Sequence, residues 1–179
     1  MTGATADYAI RLLGVADAPA YRALRLRMLH QYPDAFTSSY EEDVQHPLKW
    51  TEARLACSPW TPDNFVLGAL VGLDSLMGAV GITRESRPKQ AHKAALFGMF
   101  VAPEYASRGI GKALLDACIA RCRYAEGLLQ INLSVTSNNQ RACSLYRTAG
   151  FCVYGVEPRA IVINGSGISK THMVLVLDG

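Results

Sequence analysis

Apolar and polar positions alternate along the chain with two different spacings, which predict a mixed order of strands and helices. Short apolar, β-rich runs bounded by glycine or polar turns predict strands over 8–13, 65–71, 75–84, 94–102, 128–135, 151–156 and 173–177. Segments with an apolar stripe predict helices over 17–30, 41–56, 109–126 and 138–149. This order indicates a mixed α/β chain with antiparallel runs and one strand–loop–helix–strand unit in the middle.

Two short connections predict antiparallel hairpins. Only Gly72, Leu73 and Asp74 separate the strands over 65–71 and 75–84. Near the C-terminus, the sequence NGSG at 164–167 is typical of the turn of a second hairpin. The segment 157–172 around this turn is a candidate either to cover a substrate or to pack against a second subunit in a homodimer.

Composition limits the class of protein. The chain has 179 residues, of which 50% are hydrophobic and 18% charged, so we expect a single globular domain over 1–179. A net charge of +3 suits a small anionic ligand, but it is too weak and too scattered to indicate nucleic-acid binding. Since neither a signal peptide nor a membrane-length apolar stretch is visible, we expect a cytoplasmic protein without a membrane partner.

The five cysteines are odd in number and lack paired Cys-x-x-Cys spacing. This pattern favours small buried hydrophobic residues in a reducing compartment over disulfides or a metal site. We therefore expect no bound metal.

The segment ASRGIGKA at 106–113 is the first candidate for chemistry. Gly109 and Gly111 would let the backbone approach a phosphate, and the start of the following helix attracts an anion. Arg108 and Lys112 would add positive charge. A turn from a strand into a helix also favours glycine for purely structural reasons, so this loop alone does not identify a ligand.

Two other nucleotide-binding families share this kind of loop, and both fit the chain poorly. A short-chain dehydrogenase places Thr-Gly at the positions of Glu104 and Tyr105, carries the loop near its N-terminus and uses a Tyr-x-x-x-Lys pair that is absent here. An ATP-binding P-loop needs a glycine at 106 and a serine or threonine at 113. Ala106 and Ala113 stand there, so the magnesium ligand is missing.

A second motif follows about 25 residues after the loop. The pattern Asn-x-x-Ala-x-x-Leu-Tyr-x-x-x-Gly-Phe is met at Asn139, Ala142, Leu145, Tyr146, Gly150 and Phe151. Together the two motifs resemble the GCN5-related N-acetyltransferase (GNAT) superfamily, and the resemblance extends over about 10–177. One position departs from the family's loop, because Ala106 replaces a glutamine or arginine, and Arg108 is the candidate substitute.

The resemblance implies a twisted, mostly antiparallel sheet of six or seven strands, splayed between strands four and five and flanked by about four helices. It also implies that acetyl-CoA lies in the opening, with its pantetheine arm on the fourth strand, its pyrophosphate on the loop, and a backbone N–H facing the thioester carbonyl. The implied cofactor-binding residues are Met99, Phe100, Val101, Arg108, Gly109, Ile110, Gly111, Lys112, Ala113, Asn139 and Tyr146.

Tyr146 is the catalytic residue that the resemblance implies. The family places this hydroxyl beside the sulfur of CoA, where it can protonate the departing thiolate. A thiol of pKa about 8.5 leaves readily, so the acid only assists. The family transfers acetyl directly to an amine in a ternary complex, without an enzyme nucleophile. The structural alternatives are a buried aromatic anchor for Tyr146 and a helix cap for Asn139.

The family selects its amine acceptor with its first two helices and its last loop, here about 17–56 and 157–172. Within this region YPDAFTSSYEED, residues 32–43, resembles a subgroup described only as generic acetyltransferases. It offers Tyr32, Phe36, Tyr40 and Glu41, followed by Glu42 and Asp43, as residues of an acceptor pocket. Carboxylates there would suit a cationic amine, and a solvated acidic run is the equal alternative.

Three functions remain open from the sequence. They are an N-acetyltransferase for a small primary amine, a non-catalytic acyl-CoA-binding module of the same fold, and, with least support, a nicotinamide oxidoreductase. The binding module would explain Ala106 and the absence of an obvious general base. Candidate bases by residue type are Glu41, Glu42 and His92, with a water chain as the alternative.

Overall fold

The computed structural model describes residues 8–56, 63–72 and 75–177. Within these ranges, seven strands form one sheet in the order β1-β2-β3-β4-β5-β7-β6. The strands are β1 (Tyr8–Leu12), β2 (Asn64–Val71), β3 (Ser75–Arg84), β4 (Lys93–Val101), β5 (Gln130–Thr136), β6 (Cys152–Ile163) and β7 (Ser166–Val176). The helices are α1 (Ala18–Gln31), α2 (Tyr40–Asp43), α3 (Leu48–Leu55), α4 (Ile110–Arg123) and α5 (Gln140–Thr148).

The central strands are apolar without interruption because both of their faces are buried. Along β2, Phe65, Leu67 and Ala69 join the core formed with α4, whereas Val66 and Leu70 join the core formed with α1. The sheet is therefore covered by helices on both sides. In the described part of the chain, none of these helices is both long and apolar enough to cross a lipid bilayer.

The predicted helix over 41–56 is wrong as one element, because it is divided into α2 and α3. Pro47 stands directly before α3 in an extended conformation, with φ −65° and ψ 157°. Proline cannot donate a helical hydrogen bond and drives the residue before it away from helical angles, so a continuous helix is excluded. Because of this break, the described residues contain five helices where about four were expected.

Both predicted hairpins are confirmed, and the second is longer than expected. β2 and β3 pair antiparallel, as do β6 and β7, and β6 continues to Ile163 rather than ending near residue 156. At the second turn Asn164 and Gly165 have φ of 49° and 79°. Positive φ at both central residues is the geometry that matches the twist of the flanking strands.

The splay between the fourth and fifth strands is also confirmed. β4 and β5 pair in parallel over only three positions, which join Lys93 to Gln130, Ala94 to Ile131 and Ala95 to Asn132. Every other pair of neighbouring strands is antiparallel in the described residues. Beyond Ala95 the two strands separate, which opens the sheet at its centre.

A β-bulge lies in β4 where the sheet has opened. Ala79 of β3 pairs with Phe100, and Gly81 pairs with Phe97, so two residues of β4 oppose one residue of β3. Gly98, inside the bulge, has φ of 57°, which is a backbone conformation that favours glycine. Bulges bend a strand and redirect its polar groups. This bulge therefore turns backbone N–H and C=O groups of β4 away from the regular hydrogen bonds to β3.

Candidate functional site

A groove of about 560 Å³ occupies the opening between β4 and β5, and we call it the splay groove. Its walls come from the end of β4, the loop before α4, the first turn of α4 and one face of α5. The lining residues include Met99, Phe100, Val101, Ala106, Ser107, Gly109, Ile110, Gly111, Lys112, Asn139, Arg141 and Tyr146. All the cofactor-binding residues expected from the sequence except Arg108 and Ala113 are in this lining.

The edge of β4 that faces the splay groove is open. Because β5 pairs with β4 only as far as Ala95, residues 96–101 have no neighbouring strand on that side. Met99, Phe100 and Val101 line the groove there. Unpaired backbone groups on a strand edge are a template for an extended ligand, which can hydrogen-bond to them as another strand would.

The N-terminus of α4 lies at one side of the groove. Ser107 and Gly109 have φ of 64° and 78°, so the loop turns tightly into the helix. Gly109 is the N-cap and has no side chain to accept from the first turn. The N–H groups of the first three helical residues, 110–112, therefore have no acceptor within the helix and are aligned with its dipole.

Two of the expected loop residues are engaged elsewhere. Ala113 donates its N–H to the carbonyl of Gly109 at 2.9 Å, which closes the first helical turn. The guanidinium of Arg108 lies 5.4 Å from the ring centroid of Tyr105. Lys112 does line the groove, and its ammonium pairs with Asp116 one turn along the same exposed helix face.

Arg141, which the sequence reasoning missed, is a positively charged residue beside the loop that contains Ala106. It is on α5, lines the splay groove, and donates from Nη2 to Ser107 Oγ at 3.3 Å. The signal was present, because Arg141 is two residues after Asn139 inside the second motif. Only the packing of α5 beside the loop shows that this arginine of the second motif contacts the loop of the first motif.

Tyr146 is buried in α5 and its hydroxyl reaches the β4 bulge. The hydroxyl donates to Met99 Sδ at 3.5 Å, and the ring packs edge-on against Phe151 at 5.8 Å. Burial raises the pKa of this phenol, with a smaller contribution from the nearby thiols of Cys143 and Cys118. Tyr146 therefore remains a protonated donor at neutral pH, aimed at a sulfur atom on β4.

Asn139 is the N-cap of α5, so its structural role is confirmed. Its side-chain oxygen accepts from the N–H of Ala142 at 3.1 Å. The same residue also lines the splay groove.

A second cavity, of about 710 Å³, begins beside the same bulge, and we call it the bulge cavity. It is formed by α1, the α1–α2 connection, α3 and strands β2 to β4. Its lining includes Arg25, Phe36, Thr37, Ser38, Trp50, Arg54, Asn64, Thr83, Phe97 and Gly98. Phe36 lines both cavities, and Gly98 in one is the neighbour of Met99 in the other, so the two cavities meet at the bulge.

The acceptor residues expected from the sequence are divided by the structure. Tyr32 and Phe36 line the splay groove, whereas Tyr40 and Glu41 line neither cavity. Tyr40 packs edge-on against His30 at 5.3 Å. These side chains were expected together because they are close in sequence, but the turn into α2 separates them.

The acidic residues that follow are used structurally. Glu42 accepts from the N–H of Ser39 at 2.9 Å while Ser39 caps α2 in return. Asp43 is buried and accepts from Arg25 Nε at 2.5 Å. Neither carboxylate lines the bulge cavity, whose charged side chains are the guanidiniums of Arg25 and Arg54.

The candidate bases do not lie at either cavity. Glu41 and Glu42 are outside both linings, and His92 precedes β4. His92 is six residues before Gly98, roughly 20 Å along an extended strand. Of the described residues that line the two cavities, none is aspartate, glutamate or histidine.

Three cysteines, Cys118, Cys122 and Cys143, are buried and free, as expected. Cys152 is exposed, contrary to that expectation, because it lies on the edge strand β6. Cys57 lies outside the described residues. Among the described residues, no three histidine, cysteine or acidic side chains are grouped as metal ligands would be.

Solved structures share this architecture. The acetyltransferase of GNAT family from Streptococcus pneumoniae aligns with a TM-score of 0.87 at 23% identity, covering 96% of this chain and 100% of that one. The structure of yncA from Salmonella typhimurium, with its cofactor acetyl-CoA, aligns with a TM-score of 0.77 at 22% identity, covering 97% and 95%.

Sequence comparisons agree with the fold. The L-amino acid N-acetyltransferase AaaT of Escherichia coli (strain K12) is 28% identical over 163 residues, 90% of this chain and 94% of the relative. The N-alpha-acetyltransferase RimI of Mycobacterium tuberculosis is 32% identical over 118 residues, 65% of this chain and 70% of the relative. Residues 26–151, which contain both motifs, match the acetyltransferase (GNAT) family. This match covers well over half of the chain and confirms the resemblance, so the chain belongs to the acetyltransferase (GNAT) family.

Proposed function

We propose that this protein is an N-acetyltransferase that moves the acetyl group of acetyl-CoA to a primary amine by direct attack in a ternary complex. One observation carries the proposal: the open edge of β4, the N-terminus of α4 and the hydroxyl of Tyr146 all face the splay groove. The family match and the named relatives, which are N-acetyltransferases, support the same class of reaction.

The phosphates of acetyl-CoA would bind at the start of α4. The N–H groups of residues 110–112 meet an anion with the positive end of the helix dipole. Arg141 would add the charge that Ala106 lacks, since its side chain already contacts the loop at Ser107. This arrangement depends mainly on backbone donors, which explains how the loop can bind without the family's glutamine or arginine.

The pantetheine arm would lie along the open edge of β4, at Met99, Phe100 and Val101. This placement carries the thioester to the bulge, where the splay groove meets the bulge cavity. A backbone N–H freed by the bulge would donate to the thioester oxygen as negative charge develops on it. The amine would approach from the bulge cavity.

In the proposed reaction, the amine nitrogen bonds to the thioester carbon and the carbon–sulfur bond breaks. The leaving thiolate accepts a hydrogen bond from Tyr146 or takes its proton, and in the second case the proton lost by the amine returns to the phenolate, so that the thiol and the neutral phenol are restored. Tyr146 is a weak acid because burial raises its pKa, so its contribution is a donor poised at the sulfur rather than a strong acid. Since no carboxylate or histidine is among the described lining residues, we infer that water relays the amine proton.

The test combines binding with turnover. Calorimetric titration with acetyl-CoA, CoA and NADPH should show binding of the first two alone. Release of free thiol should then require both acetyl-CoA and a primary amine, and kcat/KM should rise with pH until the amine is neutral. Binding of acetyl-CoA without thiol release from any amine would favour the non-catalytic acyl-CoA-binding module. Absence of acetyl-CoA binding would overturn both functions.

A further inference from the structure

We propose that Gly81 and Phe97, which face each other across β3 and β4, determine how large an amine the bulge cavity accepts. Gly81 leaves free the space that the Phe97 ring occupies against β3, and the ring in that place keeps the cavity wide. This inference rests on the acetyl transfer proposed above, in which the amine approaches from the bulge cavity, and it adds the residues that select the acceptor by size.

The Phe97 ring lies directly against Gly81. The two residues are partners in the pairing of β3 with β4. A Cβ built on Gly81 would lie 2.4 Å from Cζ of Phe97, 2.6 Å from Cε2 and 2.7 Å from Cε1. Carbon atoms that are not bonded to each other are best separated by about 3.5–4.0 Å. The tip of the ring therefore occupies the space that a side chain at position 81 would need.

Contact with this ring, rather than backbone conformation, excludes a side chain at position 81. Gly81 is not among the glycines with positive φ, so another residue could adopt its backbone conformation. It is also buried in the middle of a strand, where a glycine weakens the sheet because it has no side chain to pack. The Phe97 ring supplies the packing surface that Gly81 lacks.

The bulge cavity is the open space beside the Phe97 ring. The ring lines this cavity next to Gly98, at which the two cavities meet. Val80 and Ile82, the neighbours of Gly81 in β3, are buried in the core. Because buried parts of a protein are close-packed, a ring displaced from Gly81 has room to move only toward the cavity. The position of the ring therefore sets the width of the cavity near the bulge.

The bulge cavity has room for an apolar group of some size. Its volume of about 710 Å³ is within the range typical of small-molecule sites. Apolar side chains form much of its lining, namely Phe36, Ala53, Phe65, Ile82, Ala95 and Phe97. Each additional methylene that an apolar site buries strengthens binding about three- to four-fold. We therefore expect the native protein to favour amines with longer apolar chains, up to the length that the cavity holds.

Unbranched primary amines from ethylamine to hexylamine test this expectation, because they differ in length and hardly at all in the pKa of the amine. At saturating acetyl-CoA, kcat/KM of the native protein should rise about three- to four-fold with each added methylene. In Gly81→Ala the displaced ring narrows the cavity, so kcat/KM for hexylamine should fall at least about ten-fold, while that for ethylamine stays within about three-fold. An equal loss for both amines, or no loss for hexylamine, would overturn the inference.

Gly68→Ala, on the neighbouring strand β2, is the matched control. A Cβ built on Gly68 would lie 2.5 Å from Cδ2 of Leu13, which is also the end of a side chain, but Leu13 is in the core and lines neither cavity. Both variants should lower the free energy of unfolding in urea, because both crowd the sheet. Only Gly81→Ala should change the ratio of kcat/KM between hexylamine and ethylamine. The same change of ratio in Gly68→Ala would show that crowding of the sheet, and not the ring, controls the choice of acceptor.

Substitutions of Phe97 test the same contact from the other strand. In a Phe97→Leu background the ring is absent, so adding Gly81→Ala should alter kcat/KM for hexylamine by no more than about three-fold. Persistence of the full loss in that background would contradict the assignment. Phe97→Trp keeps Gly81 and enlarges the ring, and it should lower kcat/KM for hexylamine relative to ethylamine. If Gly81→Ala does not fold, an unchanged ratio in Phe97→Trp would overturn the inference.

Binding distinguishes failure of this inference from failure of the proposed function. If no amine releases thiol, calorimetric titration of hexylamine and ethylamine into the CoA complex still measures the cavity. Weaker binding of hexylamine by Gly81→Ala, with unchanged binding of ethylamine, would support the assignment in a protein that is not an acetyltransferase for these amines. Equal binding of hexylamine by the native protein and the variant, or binding by neither, would overturn it.

Discussion

The splay groove and the bulge cavity meet at one bulge of β4, but they are built from different parts of the polypeptide. The groove presents backbone: an open strand edge and the first N–H groups of a helix. The bulge cavity presents side chains, among them Arg25, Arg54 and three aromatic rings. Backbone groups recognise what all ligands of one kind share, whereas side chains can distinguish one ligand from another.

This difference explains why the residues of the splay groove could be predicted from the sequence and those of the bulge cavity could not. Most residues of the groove lie between 99 and 148, in two motifs with fixed spacing. The residues of the bulge cavity are spread from 25 to 98, over α1, α3 and three strands. We expect changes in the groove to alter acetyl-CoA binding or chemistry for every acceptor, and changes in the bulge cavity to alter acceptor KM alone.

The largest expected effect follows from a carboxylate in the first turn of α4. In Gly111→Asp, the added Cβ meets its nearest neighbours at 3.6 Å or more, so the fold should tolerate it. An acidic residue in the first turn stabilises the helix by about 0.3–1 kcal/mol through its interaction with the helix dipole. The same carboxylate would repel a bound phosphate by about 4 kcal/mol at an effective dielectric constant of 20. Kd for acetyl-CoA should therefore rise at least about hundred-fold.

Calorimetry and thermal unfolding together test this first prediction. Gly111→Asn, which has the same shape without the charge, is the control and should bind acetyl-CoA more tightly than the aspartate variant. Native affinity in Gly111→Asp would show that the phosphates do not lie at this helix end.

The second effect concerns chemistry in the groove. Tyr146→Phe keeps the ring against Phe151 and removes the donor from the sulfur position. We expect kcat to fall about ten- to hundred-fold, with Kd for acetyl-CoA within about two-fold. Tyr124→Phe, at a side chain that is 90% exposed, is the control. Because burial raises the pKa of Tyr146, its ionisation should not appear in the native kcat profile at neutral pH. An unchanged kcat in Tyr146→Phe would show that Tyr146 serves only as a buried aromatic anchor and takes no part in the chemistry.

The third effect concerns the wall of the bulge cavity. Lys170 is buried on β7, and its Nζ donates to Thr37 Oγ1 at 2.5 Å, which ties the α1–α2 connection to the sheet. In Lys170→Met the stem is kept and the hydrogen bond is lost. We expect acceptor KM to rise about three- to ten-fold, with little change in Kd for acetyl-CoA. Thr37→Val should reproduce the rise, and the double variant should add nothing. If Lys170→Met weakened acetyl-CoA binding and left acceptor KM unchanged, the proposed division of roles between the splay groove and the bulge cavity would be contradicted.

The smallest effect lies outside both regions. Asp17 accepts from both Nη atoms of Arg11, at 2.7 and 2.8 Å, and from the N–H of Gly14 at 2.8 Å. The hydrogen bonds from Arg11 are the largest cause of a lowered pKa at this carboxyl. Its stabilisation is therefore present above the unfolded-state pKa, about 3.9, and is lost as pH falls through the lower folded value.

Since Arg11 is 43% exposed, we expect Asp17→Asn to lower the free energy of unfolding by no more than about 1 kcal/mol near neutral pH. Urea unfolding at neutral and acidic pH measures this, and the difference from the native protein should disappear in acid. All kinetic constants should remain at native values. A difference that persists at low pH would exclude the ionised carboxylate as its source.

Local signals predicted the hairpins well, since turn chemistry acts over a few residues. Asn164 and Gly165 adopt the positive φ that their sequence indicates. The helix predicted over 41–56 is divided at Pro47, which lacks the N–H that a continuous helix would need at that position. The bulge at Gly98 was not foreseen, because a glycine in a strand is equally consistent with close packing or simple flexibility.

By itself, the sequence identified the family, because the two motifs that carry the resemblance have a fixed short-range spacing, and the resemblance in turn implied the splayed sheet. Only the tertiary structure decided which charges line the bulge cavity. Asp43 follows two other acidic residues in the sequence, yet it is buried against Arg25 and leaves two guanidiniums on the cavity wall. The charge of a site depends on which partners are brought together across the fold, and sequence order does not fix that.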